Sequence, residues 1–144
     1  MATILLVNDE RISRTLLRVA LERRRHEVIE AGSSRRALAL AGSRQEPIDL
    51  VVAELDLPKT DGLELVESLR RRYPTLRAIF LSRSLAAQEL ESRARATGAA
   101  VLRQPFEMAA VVAAAEAQLA GLEEARKPPA HAGEPPKLRK AKSG

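Results

Sequence analysis

Five short apolar runs, each followed by a stretch of helical periodicity, constrain this chain more than any other feature. The runs are Thr3 to Val7 (TILLV), His26 to Ala31 (HEVIEA), Ile48 to Ala53 (IDLVVA), Arg77 to Ser82 (RAIFLS) and Ala99 to Leu102 (AAVL). Each has the length of a strand and lacks room for a stable helix. Between them Ile12, Leu16, Leu17, Ala20 and Leu21 recur at helical spacing over residues 11 to 24. Ala37, Leu38 and Leu40 do so after the turn Gly32-Ser33-Ser34, whose serines suit an N-cap. Leu63, Leu65, Val66 and Leu69 follow Gly62 and run into Arg70-Arg71-Arg72, where cations suit a helix C-terminus. Ala86 to Thr97 stops at Gly98, and an Ala-rich helix runs from Phe106 to about Leu122. Apolar strands joined by helices pair in parallel, and a parallel sheet is covered on both faces. The predicted class is therefore α/β, a doubly wound five-stranded parallel sheet.

The chain has 144 residues, 45% of them hydrophobic, which suits one domain with a substantial core. Aromatic residues are only 2%, so Leu, Val, Ile and Ala must fill that core and little is left for stacking on bases. With no Cys, disulfides, thiolate catalysis and Cys-ligated zinc are excluded. His26 and His131 stand too far apart in sequence to suggest a metal cluster. No apolar run approaches the ~18 residues of a membrane helix, and the start MATILLVNDE lacks a signal-peptide pattern. A cytoplasmic protein is expected. The formal charge of +5 lies wholly in residues 125 to 144, which carry six Lys or Arg against one Glu. That Pro-rich segment is expected to be a disordered tail, and residues 1 to 124 the folded domain. The tail reads either as a solubilising remnant or as a weak electrostatic contact with nucleic acid or an anionic membrane surface.

Parallel sheets of this class place their sites at the C-terminal edge of the strands. The first strand delivers Asn8-Asp9-Glu10 there, the third Glu54, the fourth Ser82 and the fifth Gln104-Pro105. Carboxylates, a hydroxyl and an amide at one edge suit a hard cation such as Mg²⁺. No GxGxxG follows the first strand and no GxxxxGK[ST] occurs, so dinucleotide and P-loop sites are not indicated.

Residues 3 to about 122 resemble the receiver domain of two-component response regulators, the CheY-like family. Asn8-Asp9 matches the acidic pair that ends the first strand, and Ser82 the Ser or Thr that ends the fourth. Counting back four residues from Pro58 of the P-x-x-D-G turn lands on Glu54, the phosphoacceptor position. Gln104 before Pro105-Phe106 stands at the lysine position, and Val101 at the aromatic switch position. The resemblance implies a flavodoxin-like sheet in order 2-1-3-4-5, with Mg²⁺ held by the acids and the Asp56 carbonyl. It also implies a signalling partner, either a histidine kinase or an output protein, engaged through the fourth helix, fifth strand and fifth helix. On that face lie Leu85, Leu90, Arg93, Arg103 and the helix Met108 to Leu119.

The departures from the family pattern all fall in the chemistry. Phosphoryl transfer at such a site is positioning and charge neutralisation. Glu54 carries its carboxylate about 1 Å further out than an aspartate, enough to cost ~10²-fold. Asn8 removes a negative charge, so Mg²⁺ should bind weakly, and Gln104 removes a positive one. These changes indicate a degenerate pseudo-receiver, a stand-alone module of phosphorelay signalling that works without phosphorylation and is no enzyme. Two alternatives stay open: a working receiver that accepts a phosphoryl group at Glu54 or Asp56 with Mg²⁺, and an adaptor acting through its basic tail. Asp56 as substitute acceptor is weighed against a solvated turn aspartate. Glu54 is weighed as a phosphate mimic against a remnant whose carboxylate, near Asp9 and with no lysine, is electrostatically strained.

Overall fold

A computed structural model describes residues 2 to 127. Five parallel strands form one sheet in the order β2-β1-β3-β4-β5. In chain order the elements are β1 (Thr3–Val7), α1 (Arg11–Glu22), β2 (Glu27–Ala31), α2 (Ser34–Gly42), β3 (Leu50–Glu54), α3 (Gly62–Arg72), β4 (Arg77–Ser82), α4 (Gln88–Ala96), β5 (Ala100–Arg103) and α5 (Met108–Arg126). The α/β class, the strand order and the five helices are those expected from sequence. A 3-10 turn, Leu85–Ala87, precedes α4, and α5 extends to Arg126, beyond Leu122 and past the expected boundary at residue 124. The expectation of a disordered tail falls on residues 128 to 144, outside the described residues.

Local chemistry sets the helix starts. Glu10, Ser33 and Asp61 each accept a backbone N–H of the first turn, from Ser13, Arg36 and Glu64 respectively. The glycine after Asp61 answers to the strand before it. A Cβ on Gly62 would stand 2.4 Å from the Glu54 carbonyl oxygen, so only glycine lets α3 begin against the end of β3.

Because side chains alternate along each strand, the sheet sorts its residues onto two faces. Leu5, Val7, Val51, Ala53, Ala78 and Phe80 pack against α2, α3 and α4 in one cluster. Ile4, Leu6, Leu50, Val52, Ile79 and Leu81 pack with Leu17 and Leu21 of α1 and Val111 and Ala115 of α5 in the other. Burial of each large aliphatic side chain contributes roughly 1.5–3 kcal/mol, which is how a chain with few aromatics sustains a core. One sequence expectation is corrected here. The stripe of α1 faces two ways: Leu17 and Leu21 are buried, whereas Ile12 and Leu16 are 69% and 54% exposed. Packing against both the sheet and α5 uses only half of the stripe.

Candidate functional site

Strand parity decides what meets at the C-terminal edge. Glu54 shares parity with Leu50 and Val52, and Asn8 with Ile4 and Leu6, so both stand on the α1–α5 side of the sheet. Both are 1% exposed, and the Asn8 amide donates to Glu54 Oε2 at 3.3 Å. The Asn8 side-chain Oδ1 in turn accepts the Glu10 N–H at 2.8 Å, which fixes the turn carrying Asp9.

A residue that sequence reasoning passed over completes this cluster. Arg83, directly after β4, places Nε 3.0 Å from Glu54 Oε1 and Nη2 3.2 Å from Asp9 Oδ1. The same Nη2 donates to the Asp56 carbonyl oxygen at 3.3 Å. Sequence reading put no positive side chain at this edge, with Gln104 at the lysine position; an arginine from the next loop supplies one. Asp56 takes part through its backbone, and it is half-buried beside Leu55 and Leu57.

Glu54 is held imperfectly. Its Oε1 is buried and, despite the nearby Nε, has no aligned hydrogen-bond donor. Burial therefore dominates and raises its pKa from 4.5 to about 7; Arg83 pulls it down, while Asp9, Asp56 and Glu10 push it further up.

Ser82 lies at the same edge but turns away. Its parity is that of Ala78 and Phe80, the face covered by α4. Its hydroxyl donates to Glu91 Oε2 of α4 at 2.6 Å, and it makes no bond to Glu54. Arg103, the registered neighbour of Ser82 on β5, shares that face and binds Glu91 through Nε at 3.2 Å and Nη2 at 2.9 Å. Glu91 is 1% exposed, and the Arg103 and Ser82 hydrogen bonds hold its carboxyl below the usual value against the opposing effect of burial. A signal for Glu91 existed in the sequence: it falls on the Ala87, Leu90, Ala94 stripe of its helix, where an acid must find a partner. Arg83 had no such signal, because a loop residue has no periodicity to aim it.

Gln104 is exposed and its side chain makes no hydrogen bond among the described residues; its backbone N–H donates to the Ser82 carbonyl oxygen at 2.8 Å. It therefore does not reach Glu54. Val101 is partly buried, in register with Phe80 and packed on the α2–α4 side. It fills the space without a ring that could swing or a hydroxyl that could bond.

The divalent cation implied by the sequence resemblance can be tested on these contacts. Asp9, Glu54 and the Asp56 carbonyl do converge as oxygen donors, yet a guanidinium already stands among all three. Asn8 turns its amide N–H toward Glu54, a donor where a cation needs acceptors. As arranged, these residues do not fit Mg²⁺.

Comparison with known proteins agrees with the architecture. The response regulator receiver domain model matches residues 4–116. The chain is 30% identical over 133 residues to the DNA-binding transcriptional regulator NtrC of Azospirillum brasilense, covering 92% of this chain and 27% of that protein. It is 39% identical over 71 residues to the KDP operon transcriptional regulatory protein KdpE of Escherichia coli, covering 49% of this chain and 31% of KdpE. The chain thus spans less than a third of these curated relatives. Among solved structures, a receiver domain protein from Clostridium thermocellum superposes with a TM-score of 0.79 at 23% identity, covering 87% of this chain and 99% of that one, a likeness of fold. NtrX from Brucella abortus superposes at 0.77 with 28% identity, covering 87% of this chain and 28% of NtrX. With a family match over most of its length and the five-stranded 2-1-3-4-5 sheet, this chain belongs to the response regulator receiver domain family of two-component signalling.

Proposed function

We propose that this receiver works as a phosphorylation-independent interaction module, a binding protein rather than an enzyme. The observation that carries this reading is the occupancy of the Glu54 carboxylate. Asn8 donates to one oxygen and Arg83 stands against the other, so neither is presented to an incoming phosphoryl group. Two further features support it. Ser82, at the position that would sense a phosphoryl group, is bound to Glu91, and Gln104 brings no positive charge to the edge. A phosphoryl acceptor needs a free, well-aimed oxygen and compensating cations. Both Glu54 oxygens are buried, and the cation at the edge, Arg83, is already committed to Glu54 and Asp9.

The partner class is a signalling protein, a histidine kinase or an output protein. Among the described residues no helix is long and apolar enough to cross a membrane. The test is to titrate the full chain with acetyl phosphate, and separately with beryllofluoride, in the presence of Mg²⁺ while following backbone amide NMR. No shifts at residues 8–10, 54–56 or 82–83 are expected. Saturable shifts there, together with acid-labile phosphate on Glu54 or Asp56, would establish a working receiver instead.

A further inference from the structure

We propose that Arg83 is a built-in replacement for a divalent cation, so that the strand edge neutralises itself and takes no metal while Arg83 is in place. Three oxygens from two segments converge on one guanidinium: Asp9 Oδ1 after β1, and Glu54 Oε1 with the Asp56 carbonyl at the end of β3. Two carboxylates and a carbonyl are the donors a hard cation would use. Here they meet a cation that is covalently part of the chain, always charged and less strongly hydrated than an ammonium ion.

Burial supports this assignment over a casual surface ion pair. Glu54 is 1% exposed and the Asp9 side chain 30%, while Arg83 keeps 34% of its own side-chain surface. The guanidinium thus closes the edge from the solvent side. Asn8 fits the same scheme. One positive charge needs less acid than a divalent ion, and with an amide at Asn8 the carboxylates that pair directly with Arg83 among the described residues are those of Asp9 and Glu54. The contact also has a mechanical consequence. Arg83 begins the loop between β4 and α4, so the pair ties that loop to the ends of β1 and β3 without any ligand.

The inference concerns the cation alone and is separable from the proposed function. Mn²⁺ binding without any phosphoryl-dependent shift would overturn it and leave that reading standing.

The experiment is an Mn²⁺ titration of the full chain followed by the EPR signal of free Mn²⁺, for wild type, Asn8→Asp, Asn8→Asp/Arg83→Ala and Asp9→Asn. Wild type and Asn8→Asp are expected to show no saturable site at concentrations that saturate the double variant. The double variant should bind at least about ten-fold tighter, since one positive charge is removed and one negative added. Should the double variant not fold, Arg83→Gln alone takes its place and is expected to gain a weaker site. Wild-type binding as tight as the double variant, abolished by Asp9→Asn, would show that Arg83 yields to metal and overturn the proposal. A folded Arg83 variant that takes up no Mn²⁺ would overturn it equally, by showing that Arg83 is not what excludes the ion.

Discussion

Two glutamates in this protein are equally buried, at 1% exposure each, and are held in opposite ways. Glu91 accepts a short bond from Ser82 and a two-nitrogen contact from Arg103, and its carboxyl lies below the ordinary value. Glu54 has an amide at 3.3 Å and a guanidinium nitrogen at 3.0 Å that is not aligned for a hydrogen bond, and its pKa is pushed up to about 7. Burial alone therefore does not decide the fate of a carboxylate; aligned donors do. The family position that should be chemically competent is the poorly served one. The helix position that resembles filler is the structural anchor.

The largest expected effect is on the well-served side. Glu91→Ala leaves the buried Ser82 hydroxyl without its acceptor and releases Arg103 from β5's neighbour helix. A loss of about 3 kcal/mol is expected, read as a lower midpoint in urea unfolding. An unchanged midpoint would erase the contrast between the two acids.

Next comes the pH dependence set by Glu54. A carboxyl whose folded pKa is about 7 and whose ordinary value is 4.5 binds more protons in the folded state between those values. Stability from this group is fully present below about pH 4.5 and is lost as pH rises through 7. Wild type is expected to lose about 2 kcal/mol between pH 5 and pH 8 from this source, a discounted conversion of the shift. Glu54→Gln should flatten that slope, and its melting temperature should equal or exceed that of wild type at pH 8. Glu91 runs the other way: with a depressed value, its contribution is present above the ordinary glutamate range and is lost in acid.

Ser82→Ala sharpens the comparison at a smaller scale. It removes one hydrogen bond, at a cost of about 1 kcal/mol. A carboxyl carbon NMR titration should still find Glu91 below the ordinary value, because Arg103, the larger cause, remains. The smallest change is Arg103→Lys, which keeps the charge but loses the forked geometry; its urea midpoint should move less than that of Ser82→Ala. An equal loss for Arg103→Lys and Glu91→Ala would mean that geometry, and not charge, dominates the pair.

How much of this was legible beforehand follows from the physics of each part. The parallel sheet and the placing of Asn8, Asp9 and Glu54 at one edge came from apolar runs and strand ends, which are local properties of the chain; the order 2-1-3-4-5 came only from the family resemblance, and Ser82 and Gln104 lie at that edge without facing Glu54. Ser82 bonding α4 was within reach by parity, since it sits two residues from Phe80 on a strand with strict alternation. The half-exposed stripe of α1 was not, because sequence periodicity marks a face without saying how much of it a neighbour covers.

By itself the sequence determined the period of every element, the glycine that opens α3, and the substitutions that depart from the family's chemistry. Only the tertiary structure decided the charge balance of the site. Arg83 lies 29 residues after Glu54 and 74 after Asp9, separations shown by its numbering and its contacts. Nothing periodic links a loop arginine to either acid. Their meeting depends on three strand ends lying side by side, and a long side chain finds its partners only once that edge has been built.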